Sequence, residues 1–277
     1  MIRNQTSQQK PRQEPFNTPT PQDFGYIKRL VHKASVRQLT CNLLNSAPRV
    51  VDLNIKTGST LIALQASINA TKQIGISSCQ TTLNRVSDAI RQSKDLAIPR
   101  LICASPNDIK RHVQPNSSDC VIAHFMYQNN KRDQIIKLCD GITSENGLIS
   151  FVSNTQKAIH HTKCKLPKLI QAIFYSSRFL QQNDLPVNHA SHIQDVESHG
   201  FQIIDQCAIQ KEIVLNSYND IKSWLLNSAW TSDLLPRFAY TQNSLLFLYY
   251  QCLKLFKGNL FPIKIQTDIS VILAKKP

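Results

Sequence analysis

The stretch 49–83 constrains the fold more than any other part of this sequence. It opens with Arg49-Val50-Val51-Asp52-Leu53, a short apolar run that ends in an acid and is typical of a buried parallel strand. A turn with one glycine follows, and residues 60–70 then carry apolar side chains at helical spacing. A second short apolar run at 72–76 predicts another strand. Strand, turn, helix and strand in this order indicate the start of a doubly wound α/β sheet, in which ligands bind at the carboxyl ends of the strands.

The rest of the chain continues this alternation. Residues 100–104, 118–123 and 148–152 are predicted as strands, a sixth strand opens at 199–204, and residues 262–274 alternate apolar and polar side chains as a last strand. Helical spacing recurs between them, for example at 132–141. We therefore predict an α/β fold with a doubly wound, mostly parallel seven-stranded sheet, helices on both faces and helical insertions.

The ends of the chain and two long segments stand apart from this core. Residues 1–22 are polar and hold four prolines, which predicts a disordered leader before a single domain at 23–277. Apolar spacing predicts two helices before the first strand, the second beginning at a capping box that opens with Ser35. These two helices would cover either the ligand cleft or only an edge of the sheet. Insertions are predicted at about 153–190 and 209–260.

Composition excludes several classes of protein. The eight cysteines contain no C-x-x-C pair, so we expect reduced thiols and neither a disulfide framework nor a metal site. No signal peptide is visible and no apolar run reaches the length of a membrane span, which predicts a cytoplasmic protein. The net charge of +14 suggests an acidic partner, an anionic membrane surface, or only solubility. Since the basic residues are scattered, we do not expect nucleic-acid binding.

Residues 50–58 read V-V-D-L-N-I-K-T-G and resemble V-L-D-L-G-C-G-T-G, the first motif of the class I S-adenosylmethionine-dependent methyltransferases. Asn54 and Lys56 replace two of the three glycines. Residues 75–79, G-I-S-S-C, resemble the family pattern G-I-D-x-S, with Ser77 at the position of the acid that binds both ribose hydroxyls. A serine cannot accept from both hydroxyls as a carboxylate does. The resemblance extends over 23–277 and implies an antiparallel last strand beside the fifth strand.

The resemblance implies S-adenosylmethionine as the cofactor and assigns roles to particular positions. An acid often follows the third strand in this family, near the adenine amine, and Asp108 is the candidate, although a turn or helix-capping role also suits it. Lys56 is a candidate partner for the cofactor's carboxylate. The full set of implied cofactor-binding residues is Asp52, Asn54, Lys56, Gly58, Ser77, Ser78 and Asp108.

Residues 124–129, H-F-M-Y-Q-N, follow the fourth strand and resemble in spacing the S-F-G-L-R-N stretch of the quinone-pathway C-methyltransferases. They differ from the N-P-P-Y motif of enzymes that methylate exocyclic amines or glutamine amides. His124 is the predicted catalytic base, because a near-neutral imidazole can deprotonate a hydroxyl or an acidic carbon. The alternative is a hydrogen-bonded residue at a strand end. Predicted substrate-binding residues are Phe125, Tyr127, Phe174, Trp224, Leu245 and Leu248, although the helical stripe through 245–256 also suits a core.

Three functional hypotheses follow from these residues. The first is methyl transfer to an oxygen or carbon of an apolar or lipid-like small molecule. The second is a catalytically inactive scaffold or partner-binding protein with this fold, motivated by the replaced glycines and the absent ribose acid. The third, an RNA-binding or RNA-modifying protein, rests on the +14 charge alone. An amphipathic, basic segment at 163–174 could also contact a membrane surface. The oligomeric state does not follow from the sequence.

Overall fold

The structure is a computed structural model that describes residues 25–43, 47–68, 70, 72–92, 96–127, 130–156, 184–217, 220 and 262–277. Helices and strands alternate along these segments. They are α1 (Gly25–Asn42), β1 (Arg49–Asp52), α2 (Ser59–Ile68), β2 (Lys72–Ser77), α3 (Gln80–Gln92), β3 (Arg100–Cys103), a 3-10 helix (Pro106–Arg111), β4 (Ser118–His124), α4 (Arg132–Ile142), β5 (Thr143–Asn154), α5 (His189–Ser198), β6 (Gln202–Leu215) and β7 (Ile263–Lys275).

The described strands form one seven-stranded sheet in the order β3-β2-β1-β4-β5-β7-β6. The first five strands along the chain pair in parallel, and β7 lies antiparallel between β5 and β6. β1 lies inside the sheet, between β2 and β4. The predicted fold class, including the antiparallel last strand beside the fifth strand, is confirmed.

Helices cover both faces of the sheet. On one face, which we call the α1 face, apolar residues of α1, α2 and α3 pack against alternate residues of the strands, such as Val50 and Ile122. On the opposite face, which we call the α4 face, α4, α5 and the 3-10 helix pack against the intervening residues, such as Val51 and Val121. This two-sided burial explains why the central strands read as continuous apolar runs.

The N-terminal helix differs from the prediction of two helices. α1 is continuous through Ser35, whose hydroxyl donates to the carbonyl of His32 at 3.1 Å and does not cap a new helix. A serine inside a helix can satisfy its hydroxyl in this way without breaking the helix. The first half of α1 packs through Ile27 and Val31 on β5 and β7, while Leu39 reaches the central core. α1 therefore covers the antiparallel part of the sheet as well as its middle.

Two strand bounds also differ from the prediction. β5 begins at Thr143, ahead of the predicted strand at 148–152, because Thr143 already pairs with Ser118 before the register shifts. Asn146 adopts a positive φ of 62°, as expected of an asparagine there. β6 continues to Leu215, paired with β7 along its length, so the second insertion cannot begin at 209. Residues 1–22 and most of both predicted insertions lie outside the described residues.

Candidate active site

The loop that joins β1 to α2 is fixed by its own first residue. Asp52 ends β1, is 6% exposed, and accepts a hydrogen bond from the backbone N–H of Asn54 at 3.0 Å. Burial raises the pKa of Asp52 to about 7, and the bond from Asn54 and the charge of Lys56 partly oppose that rise. The carboxyl group of Asp52 therefore shapes the loop.

Two further hydrogen bonds attach this loop to the neighbouring strands. The side-chain amide of Asn54 donates to the carbonyl of His124, at the end of β4, at 2.9 Å. The backbone N–H of Ile55 donates to the carbonyl of Ile76, in β2, at 2.8 Å. The loop thus spans the carboxyl ends of β1, β2 and β4, which is the edge where doubly wound sheets bind ligands.

The replaced glycines do not strain the loop. Neither Asn54 nor Lys56 adopts a positive φ, and Gly58 alone does so within 53–58, at φ 72°. Left-handed backbone is therefore not required at residues 54 and 56 of this chain. At Gly58 the glycine is required, because a Cβ there would also lie 2.9 Å from Cγ1 of Val86.

Ser77 and Ser78 lie at the carboxyl end of β2, as predicted. Ser77 is buried, and its Oγ accepts from the backbone N–H of Cys79 at 3.2 Å. Because the oxygen is the acceptor in this bond, the hydroxyl proton can still be donated to another group. Ser78 is exposed. A ribose at this position would meet one hydroxyl donor in place of the family's carboxylate.

Asp108 lies in the first turn of the 3-10 helix that follows β3. Its Oδ2 accepts from the hydroxyl of Ser105 at 2.6 Å, and its Oδ1 forms an ion pair with Nη1 of Arg111 at 3.0 Å. Both carboxylate oxygens therefore have partners within the chain. This arrangement fits the interpretation of Asp108 as a turn residue, and a role near an adenine amine stays a prediction.

His124 is the last residue of β4, and its side chain lies on the α1 face. Its Nε2 is 2.9 Å from Oγ of Ser150 in β5. Burial, followed by the charge of His32 in α1, lowers the pKa of His124 to about 3. The imidazole is therefore neutral at pH 7, but its low pKa makes it a weak base. The contacts fit the interpretation as a hydrogen-bonded strand-end residue better than the predicted catalytic base.

Phe125 and Tyr127 follow His124 but point to different sides. Phe125 adopts a φ of 54°, which is rare for a bulky residue, and packs beside the α1-face cluster of Ile27 and Val31. Its backbone N–H donates to the carbonyl of Val152 at 2.7 Å. Strained backbone of this kind occurs often at functional sites. Phe125 therefore lies at the strand edge, and its role in substrate binding stays a prediction.

Tyr127 is directed into the core of the α4 face, which corrects its predicted place at a substrate pocket. It is 2% exposed, its ring stacks on Phe151, and its hydroxyl lies 3.1 Å from Nε2 of His192. Nδ1 of His192 lies 2.8 Å from Oγ of Ser270, which in turn lies 2.7 Å from Nδ1 of His189. Tyr127 thus belongs to a largely buried chain of polar side chains that joins the segment after β4 to β7 and α5.

Several predicted and unpredicted residues complete this account. Three polar residues near the strand ends on the α1 face were not predicted: His32, Ser150 and Asn154. The sequence could have indicated Ser150 and Asn154, because both alternate with apolar neighbours in β5. Four predicted substrate-binding residues lie outside the described residues: Phe174, Trp224, Leu245 and Leu248.

Within the described residues, no group of three or more His, Cys, Asp or Glu side chains is arranged to hold a metal ion. The six cysteines of this part of the chain carry free thiols. None of the described helices combines the length and apolar character that crossing a membrane requires.

Comparison with solved structures supports the fold. The chain is similar to the cyclopropane synthase MmaA2 of Mycobacterium tuberculosis, with a TM-score of 0.55, 14% identity, and 88% of this chain and 84% of that chain covered. The chain is also similar to phosphoethanolamine N-methyltransferase 2 of Haemonchus contortus, solved in complex with phosphomonomethylethanolamine and S-adenosylhomocysteine. The TM-score is 0.52 and the identity 13%, and the match covers 94% of this chain and 61% of that chain. A third similar structure is the [4+2]-cyclase SpnF, with a TM-score of 0.54, 12% identity, and 89% of this chain and 81% of that chain covered. No protein-family model and no curated protein matches the sequence.

At such low identity these similarities establish the fold and leave the chemistry open. The resemblance to the class I S-adenosylmethionine-dependent methyltransferases is confirmed at the level of fold, because one of these three neighbours is a methyltransferase by name and the predicted strand arrangement is present. The cyclase shares the fold under a different named reaction, so function has to be argued from the site.

Proposed function

We propose that this chain binds S-adenosylmethionine at the carboxyl ends of β1 and β2 and transfers a methyl group to an oxygen or carbon of an apolar, lipid-like small molecule. The observation that carries the proposal is the loop 53–58. It is fixed at three strand ends by Asp52, Asn54 and Ile55, without positive φ at the two replaced glycines. The loop therefore keeps a defined backbone leading into α2.

The groups at this edge suit the cofactor. The hydroxyl of Ser77 can donate to a ribose oxygen, and the N–H groups of the first turn of α2, which helix geometry leaves without a partner inside the helix, favour a carboxylate. The exposed cation of Lys56 adds to that attraction. When bound, the cofactor supplies an electrophilic methyl group on a sulfonium. The chain's own contribution is then to hold the acceptor in line with that methyl group, because methyl transfer depends strongly on orientation.

A titration of the full chain with S-adenosylhomocysteine tests cofactor binding. Ser77→Asp should bind about tenfold more tightly than the parent, because one carboxylate oxygen can accept from Cys79 while the other accepts from the ribose. Ser117→Asp is the matched control. Ser117 precedes β4 at the opposite edge of the sheet, so this substitution adds the same charge far from the proposed cofactor site. Calorimetry reports both dissociation constants.

The same titration separates the proposal from the second candidate, an inactive scaffold. That candidate is favoured by Ser77, which cannot replace the charged acceptor for two ribose hydroxyls. If neither the parent nor Ser77→Asp binds S-adenosylhomocysteine at millimolar concentration, the proposed function is wrong and the scaffold remains. Binding by the parent supports the enzyme.

His124 offers a second test. We expect His124 to orient the acceptor or the strand end, since its ring is a weak base and contacts Ser150. His124→Gln keeps a hydrogen-bonding group of similar size, so turnover should remain within about fivefold of the parent. A loss of ~10²–10⁴-fold, with the acidic limb of the rate–pH profile also lost, would instead identify a general base. Affinity for S-adenosylhomocysteine should be unchanged in either case.

A further inference from the structure

The side chain of Asn154 carries a buried amide group. It is the last residue of β5, it is 2% exposed, and neither its Oδ1 nor its Nδ2 has a hydrogen-bond partner in the part of the chain that the structure describes. Buried polar groups nearly always have a partner, because an unpaired one loses its hydration without compensation. A side chain with both a donor and an acceptor unpaired therefore calls for a specific explanation.

The polar groups around Asn154 are satisfied, so poor packing is not that explanation. The hydroxyl of Ser153 donates to the carbonyl of Asn154 at 2.8 Å. On the other side, the hydroxyl of Thr155 donates to Oδ2 of Asp268 at 2.6 Å, and Oδ1 of Asp268 accepts from Gln210 at 3.0 Å. The missing partners are confined to one amide group within an otherwise paired strand end.

Asn154 lies on the α1 face, at the same edge as the candidate active site. It pairs with Ile269 of β7, and Ile269 packs with Ile27 and Val31 of α1. Two residues earlier in β5, Val152 pairs with His124 and belongs to the same cluster. Alternation along a strand places Val152 and Asn154 on the same side of the sheet. The amide thus follows His124 towards the carboxyl edge, beneath the first half of α1.

We propose that Asn154 binds the methyl acceptor, through an uncharged group of the acceptor that both donates and accepts a hydrogen bond, such as a hydroxyl. The surrounding cluster is apolar, and it would contact the hydrocarbon part of the acceptor. A charged group would lose its hydration there without gaining a counter-ion from this cluster. This inference rests on the proposed function and specifies its substrate as an apolar molecule with a neutral hydroxyl group.

Phenol and toluene form a matched pair of probes, because they have nearly the same shape and only phenol carries a hydroxyl. In an NMR titration of the full chain, the side-chain amide resonances of Asn154 should shift saturably with phenol. Phenol should bind at least about fivefold more tightly than toluene, which is the contribution of one hydrogen bond. Asn154→Leu should bind both probes equally.

Thermal unfolding gives an independent readout. Asn154→Leu should melt a few degrees above the parent, because it replaces an unpaired buried amide by an apolar side chain of similar size. Asn107→Leu is the control, since Asn107 is exposed in the 3-10 helix and should show neither effect. If Asn154→Leu melts below the parent, the amide has structural partners and the inference is wrong.

Two other results would overturn the inference. Phenol could bind no more tightly than toluene, or its preference could persist in Asn154→Leu. An amide that exchanges magnetisation with one tightly held water, and keeps that water in saturating phenol, would also show that Asn154 is merely hydrated. None of these measurements involves S-adenosylhomocysteine, so the acceptor site and the cofactor site succeed or fail separately.

Discussion

Polar side chains near the carboxyl edge of the sheet differ between its two faces in how completely they are hydrogen-bonded. On the α4 face, Tyr127, His192, Ser270 and His189 form a continuous chain of hydrogen bonds between 2.7 and 3.1 Å. On the α1 face, within the described residues, the side chain of His124 has one hydrogen bond, to Ser150, and the side-chain amide of Asn154 has none. The residue types are alike, but only the first set is internally complete.

This difference separates a structural role from a binding role. A complete buried network holds its members in one arrangement, and the α4-face chain thereby fixes the segment after β4, which carries Phe125 in its strained conformation. An incomplete set gains its missing bonds only when another molecule supplies them. We therefore expect substitutions on the α4 face to change stability and those on the α1 face to change binding.

The largest expected effect is the loss of stability in His192→Leu. This change leaves the hydroxyl of Tyr127 buried and unpaired and removes one partner of Ser270. The free energy of unfolding should fall by about 3 kcal/mol, equivalent to about 6–12 °C in melting temperature. Urea denaturation measures it.

The control for this prediction is a double-mutant cycle with Tyr127→Phe. The two changes should be non-additive, because they break the same bond. Asn154→Leu, the same kind of substitution on the other face, should instead raise the free energy of unfolding. Equal destabilisation by both leucine variants would contradict the distinction between the faces.

The next effect is acid sensitivity. Burial, with the charges of Arg132 and His189, lowers the pKa of His192 to about 3 from an ordinary value of about 6.5. The unfolded chain therefore binds a proton below pH 6.5 that the folded chain does not. The contribution of neutral His192 to the free energy of unfolding is therefore complete above pH 6.5. It decreases by about 1.4 kcal/mol per pH unit as the pH falls towards 3.

By pH 5 the loss from His192 amounts to about 2 kcal/mol. His124, whose pKa burial lowers to a similar value, should add a loss of the same sign. Denaturation in urea at pH 7, 6 and 5 gives the slope of the unfolding free energy against pH. His192→Gln should reduce this slope by the equivalent of about one bound proton. An unchanged slope in that variant would show that His192 is not held neutral by the fold.

The smallest effect distinguishes two serines. Ser270→Ala removes the hydroxyl that contacts both His189 and His192 and should cost about 2 kcal/mol, whereas Ser150→Ala removes one contact and should cost about 1 kcal/mol or less. Chemical unfolding of the two variants side by side measures the difference. A larger loss for Ser150→Ala would mean that the α1 face is the more tightly held of the two.

The sequence was sufficient for the architecture but not for the extent of every element. Continuous apolar runs such as 49–53 predicted buried parallel strands, and the alternating run at the C-terminus predicted the last strand, whose antiparallel direction the family resemblance implied. The long β6 was missed beyond residue 208, because pairing with β7 supports residues whose own pattern is irregular. Ser35 was predicted as a helix start, yet its bond to His32 keeps it inside α1.

For the candidate site, the sequence by itself determined which residues lie at the strand ends, since Asp52, Ser77 and His124 follow directly from the ends of apolar runs. Tertiary structure decided what those residues do there. The alternation that assigns side chains to faces ends with the strand, and the left-handed backbone at Phe125 sends Tyr127 into the α4 face. The missing partners of Asn154 are likewise invisible in the sequence, because a hydrogen bond depends on atoms that β7 and α1 bring together from distant parts of the chain.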